Sequence, residues 1–331
     1  MTGVRTGPAP RLEDVQAPVR SDLEHVTREL RRIVDDDSPL IAQVNRHLMV
    51  MKGKLFRPTL VLLTNAIEED PAPRATTLAA VLELMHLATL VHDDAVDHSG
   101  LRRGHPTINA LFNHQISVIA GDYLYLRALR ELARLGDLDA LRVLSETSVE
   151  MTRGEMLQLA VTVPIEFSEP EYEALIAAKT ASLFRAACTL GALCGAQRHR
   201  AALSRYGERL GMAFQVADDL LDYTEAQEVM GKPTGLDLRE RKMTLPLIAA
   251  LREMDAAARQ RVEALFAEPV PSDADIHAVI GLAAEYGGID YARRRGEQFA
   301  QEAEEALADI PDTPARAALL DAITYVMDRR F

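Results

Sequence analysis

The chain has 331 residues, 48% of them apolar and 5% aromatic, with no Trp and a formal net charge of −13. Such a length can bury a large core as one big domain or two ordinary ones. The acidic balance excludes a broad nucleic-acid surface, which needs clustered positive charge, but not small anions held by a local basic lining.

Residues 1–18 carry Pro, Arg, Glu and Asp without an apolar run. They read as a flexible lead-in with no secretory signal. From Ser21 onward apolar positions recur at helical spacing, and Leu, Ala, Glu and Arg dominate over short Gly/Pro-bounded strands. The first helical run ends at Asp35-Asp36-Asp37-Ser38-Pro39. A second begins near Pro58, a residue suited to a first helical turn, and ends at Glu68-Glu69-Asp70-Pro71. A long apolar helix follows over about 76–97. Further runs cover roughly 107–134, 138–161, 169–196, 201–226, 242–253, 255–267, 273–286, 288–308 and 313–328. Cys188 and Cys194 fall inside one of them, spaced for neither zinc nor a redox pair, and read as small buried side chains in a reducing compartment. No stretch approaches the roughly 20 uninterrupted apolar residues of a membrane span, so a cytoplasmic protein is expected. No internal linker marks a boundary. The expectation is one all-α domain over residues 19–331, a large antiparallel helix bundle.

Two carboxylate clusters stand out. Asp93-Asp94-Ala95-Val96-Asp97 closes the long apolar helix, and positions four apart share a helix face with about 5–6 Å between Cβ atoms. Two ionised carboxylates that close need a cation, and oxygen-only ligands point to a hard ion, magnesium before zinc. Alone, such a cluster could equally be a solvated helix end. The pattern recurs, however, in Asp218-Asp219-Leu220-Leu221-Asp222, again at the end of an apolar run. Two helices carrying these clusters side by side could hold divalent ions between them.

Magnesium fills its shell with water and substrate phosphates, so positive charge nearby matters. Lys54 and Arg57 lie three apart where a helix begins, Arg102 and Arg103 follow the first cluster, and Lys179-Thr180 sits on an apolar helix. Lys232 and Lys242 flank a polar loop after the second cluster. Singly, each would be an ordinary surface charge; together they offer phosphate clamps. His86 lies seven residues before Asp93 and reads either as a core histidine or as part of the same face. Glu83 precedes it by three, the spacing of di-iron bundles, but no other histidine has that partner, which argues against an oxidase.

In order, these pieces resemble the trans-isoprenyl (polyprenyl) diphosphate synthase family, which includes farnesyl, geranylgeranyl and longer-chain synthases. The resemblance runs over about residues 50–250. It is carried by Gly53-Lys54 with Arg57-Pro58, Glu83 with His86, Asp93-Asp94 with Asp97, Leu101-Arg102-Arg103-Gly104 and Gly121-Asp122-Tyr123. Further along come Gly154 with Gln158, Lys179-Thr180, Phe214-Gln215, Asp218-Asp219 with Asp222, Gly231-Lys232, Asp237-Leu238 and Lys242 with Thr244-Leu245-Pro246. It implies a bundle around a deep central cavity, usually a homodimer. It also implies magnesium-dependent condensation of isopentenyl diphosphate with an allylic diphosphate, with manganese able to substitute.

By that resemblance Asp93, Asp97 and Asp218 are the principal ligands of a trinuclear magnesium cluster, supported by Asp94, Asp219 and Asp222 largely through water. Arg102, Lys179, Thr180, Gln215, Lys232 and Lys242 hold the allylic diphosphate; Lys54, Arg57, His86 and Arg103 hold isopentenyl diphosphate. Three departures appear: Leu55 and Arg241 stand where the family commonly has Arg and Gly, and Glu155 where Gln is common. Ala88 and Thr89, five and four residues before Asp93, are small where short-chain members often carry an aromatic. This implies an open tunnel and a product beyond farnesyl, with Met85 a possible stop lower down. Two alternatives fit less well. A class I terpene cyclase usually lacks the second Asp-rich motif and the isopentenyl clamp, and a non-catalytic subunit loses aspartates that are all present here.

Overall fold

The computed structural model describes residues 10–50, 53–68, 71–161, 163–224 and 235–328. Helical spacing of Leu and Ala is realised almost throughout. The first half holds α1 (Leu12–Gln16), α2 (Arg20–Val34), α3 (Pro39–Val50), α4 (Phe56–Asn65), α5 (Arg74–Val96), α6 (Ile108–Leu111), α7 (His114–Leu135) and α8 (Leu138–Leu159). The second holds α9 (Glu169–Ile176), α10 (Ser182–Gly195), α11 (Arg200–Thr224), α12 (Leu236–Arg239), α13 (Leu245–Glu253), α14 (Ala256–Ala267), α15 (Asp273–Glu285), α16 (Gly288–Ala306) and α17 (Pro314–Met327). The strand pairing among the described residues is a two-residue hairpin, with Arg102 opposite His105.

Short polar residues set the helix starts. Asn113, Asp137 and Thr313 each accept a backbone N–H from the first turn of α7, α8 and α17, and Ser168 with Glu171 forms a reciprocal box at α9. Helix α5 is apolar on every side and therefore central: Leu78, Leu82 and Leu84 are fully buried. By length and composition it is the one described helix that could cross a membrane, yet 61% of that stretch is buried inside the bundle. It packs on α7, α4 and α2, while α10 and α11 pair with each other and α11 with α16.

Four differences from the sequence expectation have clear causes. Within the expected flexible lead-in, Leu12–Gln16 are helical; Val15 is fully buried and α1 packs on α17, so the domain begins before residue 19. Pro39 starts α3 rather than merely stopping α2, since a ring without N–H suits a first turn. The expected 107–134 helix splits at Asn113, which caps α7. The expected 169–196 helix is interrupted by a π-helical turn at Ala177–Ala181.

Close crossings require glycine. A Cβ on Gly191 would lie 2.0 Å from Thr64 Oγ1 and 2.1 Å from the Val61 carbonyl oxygen, so α4 and α10 touch backbone to side chain. Gly281, in the exposed middle of α15, has nothing within 4 Å of that position. The same substitution should therefore have opposite signs. Gly191→Ala is expected to lose about 1–3 kcal/mol by overpacking, and Gly281→Ala to gain about 0.5–1 kcal/mol from helix propensity. Urea unfolding of both variants checks this; equal shifts would mean the α4–α10 contact is looser than described.

Candidate active site

The first cluster sits at the C-terminal end of α5. Asp93 is half-buried and Asp97 exposed, and neither makes a side-chain hydrogen bond to another described residue. Burial, then the Glu155 carboxylate, pushes Asp93 up to about 6, against the pull of Lys179 and Arg102. Asp94 is buried and already engaged. Arg102 Nε donates to both of its oxygens at 2.9 and 2.8 Å, which fixes the hairpin arginine over the cluster.

The second cluster ends α11. Asp218 is exposed, whereas Asp219 and Asp222 are buried. The Tyr172 hydroxyl donates to Asp219 Oδ2 at 2.6 Å and Gln215 Nε2 to Oδ1 at 2.8 Å. Burial outweighs both bonds and, with Asp218 and Asp222 nearby, pushes Asp219 up to about 7. Asp222 accepts the backbone N–H groups of Leu236 and Asp237 at 3.0 and 2.9 Å, and thus anchors the start of α12. Lys242 lies near Asp97 of the first cluster and near Asp237, whose backbone N–H binds Asp222 of the second. Burial lowers its affinity for a proton, but Glu240, Asp97 and Asp237 more than offset this.

The π-turn brings the next cation in. It is wedged between Gly154 of α8, whose Cβ would lie 3.1 Å from Ala178 Cβ, and Gly211 of α11, whose Cβ would lie 2.6 Å from Ala181 Cα. One extra residue in the turn re-aims what it carries. Lys179 Nζ donates to Glu155 and Gln158, each at 2.9 Å, and the Thr180 hydroxyl to Gln215 Oε1 at 2.6 Å.

A basic pocket forms beside α4. Arg57 donates to His86 Nε2 at 3.0 Å, and its guanidinium lies 4.8 Å from the centre of the Phe184 ring. Burial, then Arg57, Arg103 and Arg102, hold His86 well below its ordinary value, so it stays neutral and accepts that bond. Glu83 beneath them is raised by burial, against Arg57 and Arg103. Gly53 passes so close that a Cβ would sit 3.1 Å from Glu83 Oε1 and 3.3 Å from an Arg103 nitrogen. Lys54 approaches Tyr325 at 3.4 Å, and its carbonyl accepts from Gln16 of α1 at 2.9 Å. Leu55 packs against the core instead of joining the cations.

The four described non-glycine residues in the left-handed region are Leu55, His98, Arg103 and Arg241. Each stands in a loop that carries a clamp or cluster residue, where such strain commonly concentrates. The structure thus brings Asp93, Asp97, Arg102, Lys179 and Lys242 within electrostatic reach of one another, Asp93 feeling Lys179 and Arg102 and Lys242 feeling Asp97, with Thr180, Gln215 and Asp219 bonded in series. Lys232 lies outside the described residues. Met85 and Ala88 are buried one to two turns below Asp93, and the half-buried Thr89 turns its hydroxyl onto the His86 carbonyl at 2.8 Å. Tyr172 and Gln16 were not singled out from the sequence. Neither carries a local signature, because each matters only through a partner 38 or more residues away.

A family model for polyprenyl synthetase matches residues 38–282. The chain belongs to the polyprenyl synthetase family. It is 37% identical, over 96% of its length and 98% of the relative's, to the all-trans-nonaprenyl-diphosphate synthase (geranyl-diphosphate specific) of Rhodobacter capsulatus. A decaprenyl diphosphate synthase structure from the same organism superposes with TM-score 0.91 at 34% identity, covering 97% of this chain and all of that one. A Caulobacter crescentus polyprenyl synthase, solved with calcium and isoprenyl diphosphate, gives TM-score 0.92 at 32% identity, over 98% of this chain and all of the other. This polyprenyl synthetase therefore elongates an allylic diphosphate with isopentenyl diphosphate, to a product beyond farnesyl.

The raised carboxylates of this synthase give a pH signature. Burial pushes Asp93 up to about 6 and Asp219 up to about 7 from an ordinary 3.8, so the folded chain holds more protons than the unfolded chain in the window above that ordinary value. Stability then falls as pH rises through that window. His86, held below its ordinary 6.5, works the other way, one group against two. The metal-free protein should melt at a lower temperature at about pH 8 than at about pH 5.5. A melting point that climbs across that range would contradict the burial described for these carboxylates.

Proposed function

We propose that this polyprenyl diphosphate synthase works with Mg2+, with Mn2+ able to substitute, held by Asp93, Asp97 and Asp218. The observation that carries the reading is the division among the six aspartates. Asp94, Asp219 and Asp222 spend their oxygens on protein donors, whereas Asp93 and Asp97 accept from no described side chain and lie in the fields of Lys179 and Arg102 and of Lys242 respectively. The donor set is all oxygen, which suits a hard ion. Among the described residues no three His, Cys, Asp or Glu side chains converge on one point. The calcium and isoprenyl diphosphate of the Caulobacter crescentus relative point to the same chemistry.

When bound, the metal supplies Lewis-acid neutralisation of diphosphate oxygens. The chain's own residues do the rest. Arg102, Lys179, Thr180, Gln215 and Lys242 grip the allylic diphosphate, and their positive charge stabilises the negative charge that builds on it as the C–O bond breaks. Lys54, Arg57, Arg103 and neutral His86 hold isopentenyl diphosphate so that its double bond faces the allylic carbon, and proximity replaces a two-body search. A new C–C bond forms, and a proton leaves, by family analogy to the released diphosphate. No Ser or Cys nucleophile takes part.

The synthase also acts as a homodimer in this reading. Helix α7 exposes Ile119, Leu126 and Leu129, and α8 exposes Leu138, Val149, Met156 and Leu159, all on heptad spacing. Two adjoining apolar seams of that kind suit a second copy of the chain.

Chelation should abolish turnover and Mg2+ or Mn2+ restore it. Asp93→Ala and Asp218→Ala should each lower it by several orders of magnitude while the protein stays folded by circular dichroism. Full turnover in metal-free buffer would sink the assignment. Product length is tested separately: Ala88→Phe or Thr89→Phe should leave a folded, active enzyme that accumulates a shorter prenyl diphosphate, read by chromatography of the dephosphorylated products. An active variant with the parent's product distribution would show that the tail does not pass those side chains.

A further inference from the structure

Buried tyrosines need a reason for their hydroxyl, because phenylalanine would pack as well without a polar atom to satisfy. Tyr172, 2% exposed on α9, is such a case. Its O–H donates to Asp219 Oδ2 at 2.6 Å, the length of a charge-assisted bond. Asp219 Oδ1 accepts from Gln215 Nε2 at 2.8 Å, and Gln215 Oε1 accepts from the Thr180 hydroxyl at 2.6 Å. The four side chains form one unbroken line across α9, the π-turn and α11.

The geometry of that line is specific. Tyr172 comes early in its segment and meets Asp219, late on α11; Thr180 comes late and meets Gln215, one turn earlier on α11. Two such ties on antiparallel elements fix both the sliding and the rotation of α11 against the turn that carries Lys179. Asp218, the neighbour of Asp219, turns with it. Removing the far anchor would leave a buried carboxylate short of one donor and free the end of α11 to rotate.

We propose that the Tyr172 hydroxyl is a positioning group for the second aspartate cluster. Acting through Asp219 and Gln215, it sets Asp218 against Lys179 and Thr180. This rests on the reading above that Asp218 and Lys179 face a metal-bound allylic diphosphate.

The test uses the full-length protein, Mg2+ and a non-reactive thiolo analogue of an allylic diphosphate, with binding followed by titration calorimetry. Tyr172→Phe keeps the ring and removes only the donor. It should raise the Mg2+ concentration for half-maximal analogue binding by about tenfold, the usual scale for losing a residue that orients a metal ligand. The KM for isopentenyl diphosphate should stay unchanged. Asp219→Asn should act in the same direction, and the double variant should be no worse than the poorer single one, since both cut the same line. A Tyr172→Phe protein with lowered melting temperature but wild-type Mg2+ demand would make the hydroxyl merely structural and overturn the proposal. Additive effects in the double variant would overturn it as well. Should Tyr172→Phe fail to fold, Asp219→Asn alone must show the rise in Mg2+ demand with an unchanged KM for isopentenyl diphosphate for the proposal to stand. Wild-type binding of the analogue that is indifferent to Mg2+ would overturn the reading of the site itself, and this inference with it.

Discussion

The constraint on which the rest depends is negative charge placed where helices already make it unfavourable. Both aspartate clusters close long helices, α5 and α11, at the end where the unpaired carbonyls carry the negative end of the dipole. Burial is the larger cost, joined by neighbouring carboxylates, and together they hold Asp93 and Asp219 above the ordinary carboxylate range. Folding alone does not relieve this. The nearby Arg102, Lys179 and Lys242 are each paired with a neighbouring carboxylate, Asp94, Glu155 and Glu240, so they temper the field at Asp93 and Asp97 without bonding to either. Glu155 shows the balance at its closest, pairing with Lys179 on one side while raising Asp93 on the other.

Holding such a site requires a frame that does not yield, and the frame is built from local irregularities rather than from regular helix. The π-turn at Ala177–Ala181 is locked between Gly154 and Gly211, so its extra residue cannot relax into the flanking helices. Left-handed Leu55, His98, Arg103 and Arg241 bend the clamp loops at positions where a side-chain-bearing residue is costly. The isopentenyl side is braced from outside: Gln16 reaches from α1 to the Lys54 carbonyl and to the Thr59 hydroxyl. A segment that looks dispensable by composition therefore supports the loop that carries the clamp.

Much of this was legible in the sequence because the relevant physics is local. Carboxylates at i and i+4 declare a shared helix face, and the apolar run before Asp93 declares a central helix. Lys179 on an otherwise apolar stretch announces an anion or a cavity. What was not legible is whatever depends on a distant partner. Leu12–Gln16 is too short to be helical on its own and is held by α17. The π-turn has no composition signature, since Ala-Ala-Lys-Thr-Ala is as good an α-helix as any. Pro39 reads in the sequence as the end of a helical run, and it is a start because α3 finds burial for Val44 and Leu48 against the rest of the bundle.

The six aspartates also show why motif and role are separate matters. Spacing treats each Asp-Asp-x-x-Asp as one unit, yet the structure divides the labour differently in the two copies. In the first, Asp94 is given to Arg102, while Asp93 stays half-buried and Asp97 exposed. In the second, Asp219 is given to Tyr172 and Gln215, and Asp222 to the backbone of α12, which leaves Asp218 as the exposed member. The asymmetry follows from what comes next in the chain. After the first cluster a tight hairpin returns an arginine to the helix end, whereas in the second Asp222 accepts the backbone N–H groups of Leu236 and Asp237. A carboxylate that pins a returning backbone cannot also swing toward a ligand, so Asp222, though part of the repeated motif, is committed to the fold.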